Sequence, residues 1–234
     1  LVERHFGDVP ARPAPARPDF VEPALSEPRS SSYTDRLAPL PAVAAAWRVP
    51  DPVADFAAYL PYVVLAEVLT DGDASRLVER LVLRDRSVTS VGGYLGFMGE
   101  PFAVRDPTAL VLQAHLPPTS PARSNGGSVD AVLGAVDEEL DRLATDGLAE
   151  GELRRTQARM ATHLLRDTDA LLGRGLTVAV LELQRGDPGL INDLPRLVGS
   201  VTAEQVVAAA ATLRPRHRAS VEVVPGGSAG GEGR

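Results

Sequence analysis

The chain has 234 residues, 44% of them hydrophobic but only 4% aromatic, so its core has to be assembled from Ala, Val and Leu, which suits helices packed on a sheet. A formal charge of -7 and a pI near 5.2 argue against nucleic acid or an anionic membrane as the main partner. Cysteine is absent, which removes any disulfide framework or thiol nucleophile and is compatible with the cytoplasmic location expected here.

The chain opens on Leu1 rather than Met, with no charged-then-apolar leader, and reads as a piece of something longer or a processed product. No apolar run approaches the about 20 residues of a membrane span. Leu1 to Gly7 looks like the last turn of a helix running into a glycine cap. From Asp8 to Pro41 there are eight prolines and little periodicity, as in VPARPAPARPDFVEPALSEP, which predicts a linker or a strap on a surface. The same composition suits a disordered tail. Residues 1–41 are thus expected to be the end of a preceding domain and a proline-rich linker, 42–225 a folded domain, and 226–234, GGSAGGEGR, a flexible tail.

Ala42 to Val49 is a short apolar run bounded by prolines, as in a buried strand, with Trp47 placed in the core. Asp51-Pro52 marks a helix start, and Pro61 is expected to kink or split the helix that follows. Val64, Leu65, Val68 and Leu69 recur at helical spacing up to the turn Asp71-Gly72-Asp73. A second amphipathic helix carries Leu77, Leu81 and Arg84 on one face. Ser87 to Phe97 is an extended run whose glycines predict a bulge or close packing. Thr108 to Leu116 alternates as a strand with one wet side, and Pro117 to Ser128 reads as a mobile loop. Val129 to Leu143 makes an unbroken helical stripe capped by Gly147. Glu150 to Arg185 is helical with a break near Asp167-Thr168-Asp169. Two shorter helices follow, at Pro188–Val198 and Thr202–Leu213, the second with a Thr202/Gln205 capping box. Arg218 to Pro225 alternates as a last strand. The order predicts an α+β fold, an antiparallel sheet with helices packed on one face.

Several stretches resemble the second domains of pitrilysin/insulinase-type (inverzincin) zinc metallopeptidases. They are Phe6-Gly7-Asp8 at the start, Ser75-Arg76-Leu77 after the glycine turn, Gly147-Leu148 ahead of Glu152-Leu153, Thr202-Ala203-Glu204 and the final Val-rich strand. The resemblance implies a C-terminal, noncatalytic domain. It implies zinc in a partner half that carries His-x-x-Glu-His, in the same precursor or on a separate subunit, and a peptide substrate enclosed between the halves. Two other classes stay open: a peptidase-like assembly subunit, and a peptide-binding module without proteolysis.

The residues themselves carry little chemistry. The four histidines, His5, His115, His163 and His217, are too far apart in sequence for a helical zinc pair, so no metal site is expected in this chain. His163 with Asp167 reads as an exposed i,i+4 pair. No Gly-x-Ser-x-Gly or phosphate loop is present. Asp137, Glu138, Glu139 and Asp141 read as a solvated helix face, as do Arg154, Arg155 and Arg159. All 24 basic residues are arginines, which a GC-rich genome explains more simply than a functional choice. Second domains of the resembled family often supply an Arg and, seven residues later, a Tyr that hold the substrate carbonyl. Here those positions fall on Val82 and Thr89, which implies that the clamp is missing. Arg80 and Arg84 are then expected to form salt bridges within the domain.

Overall fold

The computed structural model describes residues 1–13, 15, 16, 18, 23–96, 99–118 and 128–226. Most of the loop expected between Pro117 and Ser128, the tail after Gly226, and Phe97 at the end of the extended run lie outside the described residues.

Among the described residues five strands form one sheet in the order β1-β5-β2-β4-β3: β1 (Arg29–Asp35), β2 (Ala42–Arg48), β3 (Ser90–Leu95), β4 (Ala109–His115) and β5 (Arg218–Pro225). Three of the four pairings are antiparallel and bear out the α+β fold class. The fourth was not legible in the sequence. Arg29–Asp35, inside the proline-rich stretch, runs parallel to β5, with Tyr33 opposite Val223. RSSSYTD has no apolar alternation because every residue but Asp35 is exposed, so main-chain pairing alone makes it a strand.

The two central strands show why the sheet has one dry face. In β2, Val43, Ala45 and Trp47 are buried and their neighbours less so; in β4 the same is true of Leu110, Leu112 and Ala114. The register sets these rows against each other, Val43 beside Ala114, Ala45 beside Leu112 and Trp47 beside Leu110. Period-two alternation thus becomes a single apolar surface. Trp47 is fully buried, and its indole N–H donates to the Arg214 carbonyl at 3.2 Å, as a buried indole requires.

The dry face is covered by α2 (Phe56–Thr70), α3 (Val129–Asp146) and α7 (Ala203–Thr212). The helix start expected at Asp51 is one turn later. Asp51 caps a turn, accepting from the N–H groups of Val53 and Ala54, while Asp55 caps α2 through Ala58. Pro61 does not split α2. Ten of the helix's residues, from Tyr59 to Leu69, are buried, and that packing outweighs the lost backbone hydrogen bond. Gly72, at φ +81°, ends the helix in the left-handed region as the turn sequence predicts. Gly93 bears out the close packing expected of the β3 glycines: a Cβ there would lie 2.8 Å from both Leu112 Cδ2 and Thr70 Oγ1, so the last turn of α2 rests directly on the strand.

The second helix expected after the turn is wound as a π-helix over Val78–Arg84, with Leu77 and Leu81 fully buried. Arg84 does not share their buried face and is exposed. α4 (Glu152–Asp167) and α5 (Leu171–Arg185) are separated at the predicted break. A 3₁₀ turn (Pro188–Asn192) leads to α6 (Leu194–Gly199), and both halves of the Thr202/Gln205 capping box are formed at α7. At the other end of the chain, α1 (Val2–Phe6) buries no residue; Gly7 follows it with helical angles, φ -59° and ψ -32°.

Candidate functional site

Three of the stretches that carried the family resemblance, Ser75-Arg76-Leu77, Gly147-Leu148 and Glu152-Leu153, come together at one place, around Arg76. Leu77, fully buried, anchors the start of the π-helix and fixes the direction in which its neighbour leaves. The Nε and Nη2 groups of Arg76 donate to the two carboxylate oxygens of Glu152, each at 2.8 Å. Nη2 also donates to the Gly147 carbonyl at 2.9 Å, and Nη1 reaches Glu139 at 3.4 Å. Glu152 accepts in addition from the Ala149 N–H at 2.7 Å, which ties down the α3–α4 connection. Glu139 is held a second time by Arg142 at 2.6 Å.

Here a side-on, bidentate arginine joins three segments distant in sequence, and every partner is itself tied to backbone or to a further charge. Burial works to raise the Glu152 carboxyl, but the hydrogen bonds from Arg76 and from Ala149 outweigh it and hold it below the ordinary range. The hydrogen bond to Glu152 raises the Arg76 guanidinium against the opposing effect of burial. Both groups therefore stay ionised across the physiological range, which suits a staple and not a proton-transfer site.

The acids of α3 are only in part a solvated face: Glu138 and Asp141 are exposed as expected, whereas Asp137 is largely covered. Asp137 pairs with Arg218 at 2.6 Å and Glu138 with Arg80 at 2.9 Å; Asp141 pairs with Arg214, and Glu139 is buried. Their spacing on one helix could be read from the sequence, but the arginines that face them come from three other elements. Arg159 is likewise not simply part of a solvated face. It is half-buried on α4 and pairs with Asp71 at the end of α2, whereas Arg154 and Arg155 are exposed as expected. Arg80 and Arg84 both bond Asp85, within the domain.

The structure places Val82 in the π-helix, packed against the core, and Thr89 on the exposed approach to β3. The Thr89 hydroxyl donates to the His115 carbonyl at 3.1 Å, and its N–H donates to the same oxygen at 2.8 Å. The histidines stay on separate elements. His5 and His163 are exposed, and His163 forms no ion pair with Asp167. His115 Nδ1 lies 3.1 Å from Ser90 Oγ. His217 accepts from Arg216 at Nε2, so its Nδ1–H donates to the Leu25 carbonyl, 3.1 Å away, and holds the proline-rich strap against the sheet end. Among the described residues no group of three or more His, Cys, Asp or Glu could hold a metal ion. No helix among them is long and apolar enough to cross a membrane.

Fold and staple together define an α+β domain tied together by largely buried ion pairs. The family described as the Peptidase M16 inactive domain matches residues 1–160. The chain belongs to that family, which bears out the pitrilysin/insulinase resemblance. No curated protein matches the chain. Among solved structures, a protease from Helicobacter pylori superposes with a TM-score of 0.78 at 15% identity, covering 95% of this chain and 51% of that one. An inactive peptidase domain from Bordetella parapertussis gives 0.67 at 20% identity, covering 84% and 97%. A peptidase M16 inactive domain from Pseudomonas fluorescens gives 0.64 at 16% identity, covering 92% and 48%. At these identities the likeness concerns the fold. The chain spans about half the length of the Helicobacter and Pseudomonas chains.

Proposed function

We propose that this chain is the noncatalytic half of a zinc metallopeptidase, and that it forms the wall of a peptide-enclosing chamber opposite a half bearing His-x-x-Glu-His. The observation that carries the reading is the family membership over residues 1–160, in a chain whose signature residues build a staple instead of a catalytic site. In this reading residues 42–225 are the peptidase-like domain, and the partner half supplies the zinc that polarises the peptide carbonyl and activates water. The outer edge of β3 supports a role in holding peptide: it is a terminal strand of the sheet, and Gly92 has open space where a side chain would be. An extended peptide added there would be bound through main-chain hydrogen bonds. A cytoplasmic location belongs to the same reading, and cell fractionation checks it.

Codons upstream of Leu1 and in neighbouring genes should encode His-x-x-Glu-His, and the reconstituted pair should hydrolyse unstructured peptides. The chain alone should neither cleave them nor retain zinc after dialysis; one tightly held zinc per chain would overturn the assignment. Val82 and Thr89 supply no carbonyl clamp in this reading, because valine has no donor and the threonine hydroxyl already serves His115. Val82→Ala and Thr89→Ala should therefore leave the turnover number of the assembled peptidase within about threefold, below roughly 0.7 kcal/mol. A hundredfold loss for Thr89→Ala in an intact assembly, the size expected of an oxyanion donor worth about 3 kcal/mol, would show that this domain reaches the chemistry.

A further inference from the structure

Helix α5 is built the wrong way round for a surface helix. Its inner side is anchored by Leu181, the one residue of the helix that is fully buried, and the 3₁₀ turn Pro188–Asn192 is the element most closely packed against it. On the opposite side Leu172, Leu176, Ala179 and Leu183 recur at i, i+4, i+7 and i+11, which aligns them in one stripe. The three leucines of the stripe are 74%, 59% and 69% exposed. No charged residue interrupts it. A helix apolar on both sides belongs inside a layered structure, with one side on its own domain and the other on a second body.

Chain length indicates what that body is. The same fold occurs in the Helicobacter and Pseudomonas chains, of which this chain spans 51% and 48%, so there it is accompanied by as much polypeptide again. A second copy of this chain is a poorer occupant, since each copy carries a formal charge of -7. We infer that the Leu172–Leu176–Ala179–Leu183 stripe of α5 is the face on which the peptidase half docks, through an uncharged apolar surface of that half. This rests on the proposed function and adds to it the surface that joins the two halves.

The cysteine-free chain makes the test direct. Leu176→Cys and Leu183→Cys each place a single thiol on the stripe. In the complex with the His-x-x-Glu-His half, maleimide should react at both positions at least about tenfold more slowly than in the free chain, because the centre of a docked interface excludes solvent. The double variant Leu176→Glu/Leu183→Glu should keep the Tm of the free chain and fail to form the complex. Labelling at the free-chain rate in a complex that hydrolyses peptide overturns the docking face and leaves the proposed function standing. Protection in a complex that forms but hydrolyses nothing keeps the face and overturns the function. Slow labelling in the free chain, with a dimer in sedimentation, shows that a second copy covers the stripe and overturns the assigned occupant. Failure of the unsubstituted chain to form any complex with that half overturns both.

Discussion

Arg76 and Arg185 carry the same guanidinium into two differently finished regions. Arg76 turns its Nε/Nη2 edge onto Glu152 and has a partner for each nitrogen, at the junction of the π-helix, α3 and α4. Arg185, at the end of α5, is just as firmly placed. Its Nη1 donates to the Pro52 carbonyl at 2.6 Å, and its plane lies 4.2 Å over the Phe56 ring. Yet its Nε and Nη2 are buried with no partner among the described residues. Burial accordingly lowers the Arg185 guanidinium, against the opposing influence of the Tyr59 hydroxyl and the Asp51 carboxylate, whereas the Arg76 guanidinium is raised. Donors that find no acceptor cost free energy that paired ones recover. The Arg76 region is complete within this chain, and the α5 corner, with its outward leucines, is not.

The sharpest way to break this contrast is to remove Arg76. Arg76→Met leaves Glu152 and Glu139 largely buried with fewer partners, and should cost about 3 kcal/mol in urea unfolding. Arg76→Lys should recover only part of this, since an ammonium cannot make the side-on pair. A loss below about 1 kcal/mol for the methionine variant would mean that the staple is ornamental.

A smaller effect concerns the carboxyl pair one helix over. Burial, and then the neighbouring Asp71, push the Glu67 carboxyl up from 4.5 to about 7, against the pull of Arg159. The folded value lies above the unfolded one, so the folded chain holds a proton that the unfolded chain releases. Stability is therefore full below about pH 4.5 and declines as the pH rises through 7. Glu67→Gln should abolish that decline, which amounts to about 2 kcal/mol between pH 5 and pH 8. Parallel stability profiles for both proteins would disprove the assignment.

The smallest effect is expected at Arg185. Arg185→Met gives up one hydrogen bond and one ring contact but removes two orphaned donors, so stability should stay within about 1 kcal/mol of the parent. A loss as large as that of Arg76→Met would show that the α5 corner is finished after all. The three measurements together distinguish a domain with one open side from one that is uniformly packed.

Much of the framework was legible locally. The alternation in Ala42–Arg48 and Ala109–His115, the turn at Gly72, the break after Asp167 and the Thr202/Gln205 box each depend on residues within a few positions of one another, and each is formed. The family resemblance rested on such stretches too. Strand β1 was not legible, because an exposed edge strand has no alternation to show and is defined by its partner β5, some 190 positions away in Arg29↔Ala219.

The candidate site divides along the same line. That Ser75-Arg76-Leu77, Gly147 and Glu152 mattered could be read in sequence; that they matter as one staple could not, since an ion pair between positions 76 and 152 leaves no local pattern. The acids of α3 show the limit most clearly. On a helix alone they look like a water-facing stripe; in the fold Glu138 and Asp141 stay at the surface, while Asp137 and Glu139 are drawn into a covered seam with Arg218 and Arg76. Local propensity, capping and periodicity act over a few residues, so the sequence by itself determined, β1 apart, which segments are helices or strands and which sides of them are apolar. Charge pairing and edge-strand pairing act through space, so only the tertiary structure decided which polar sides face water and which face each other.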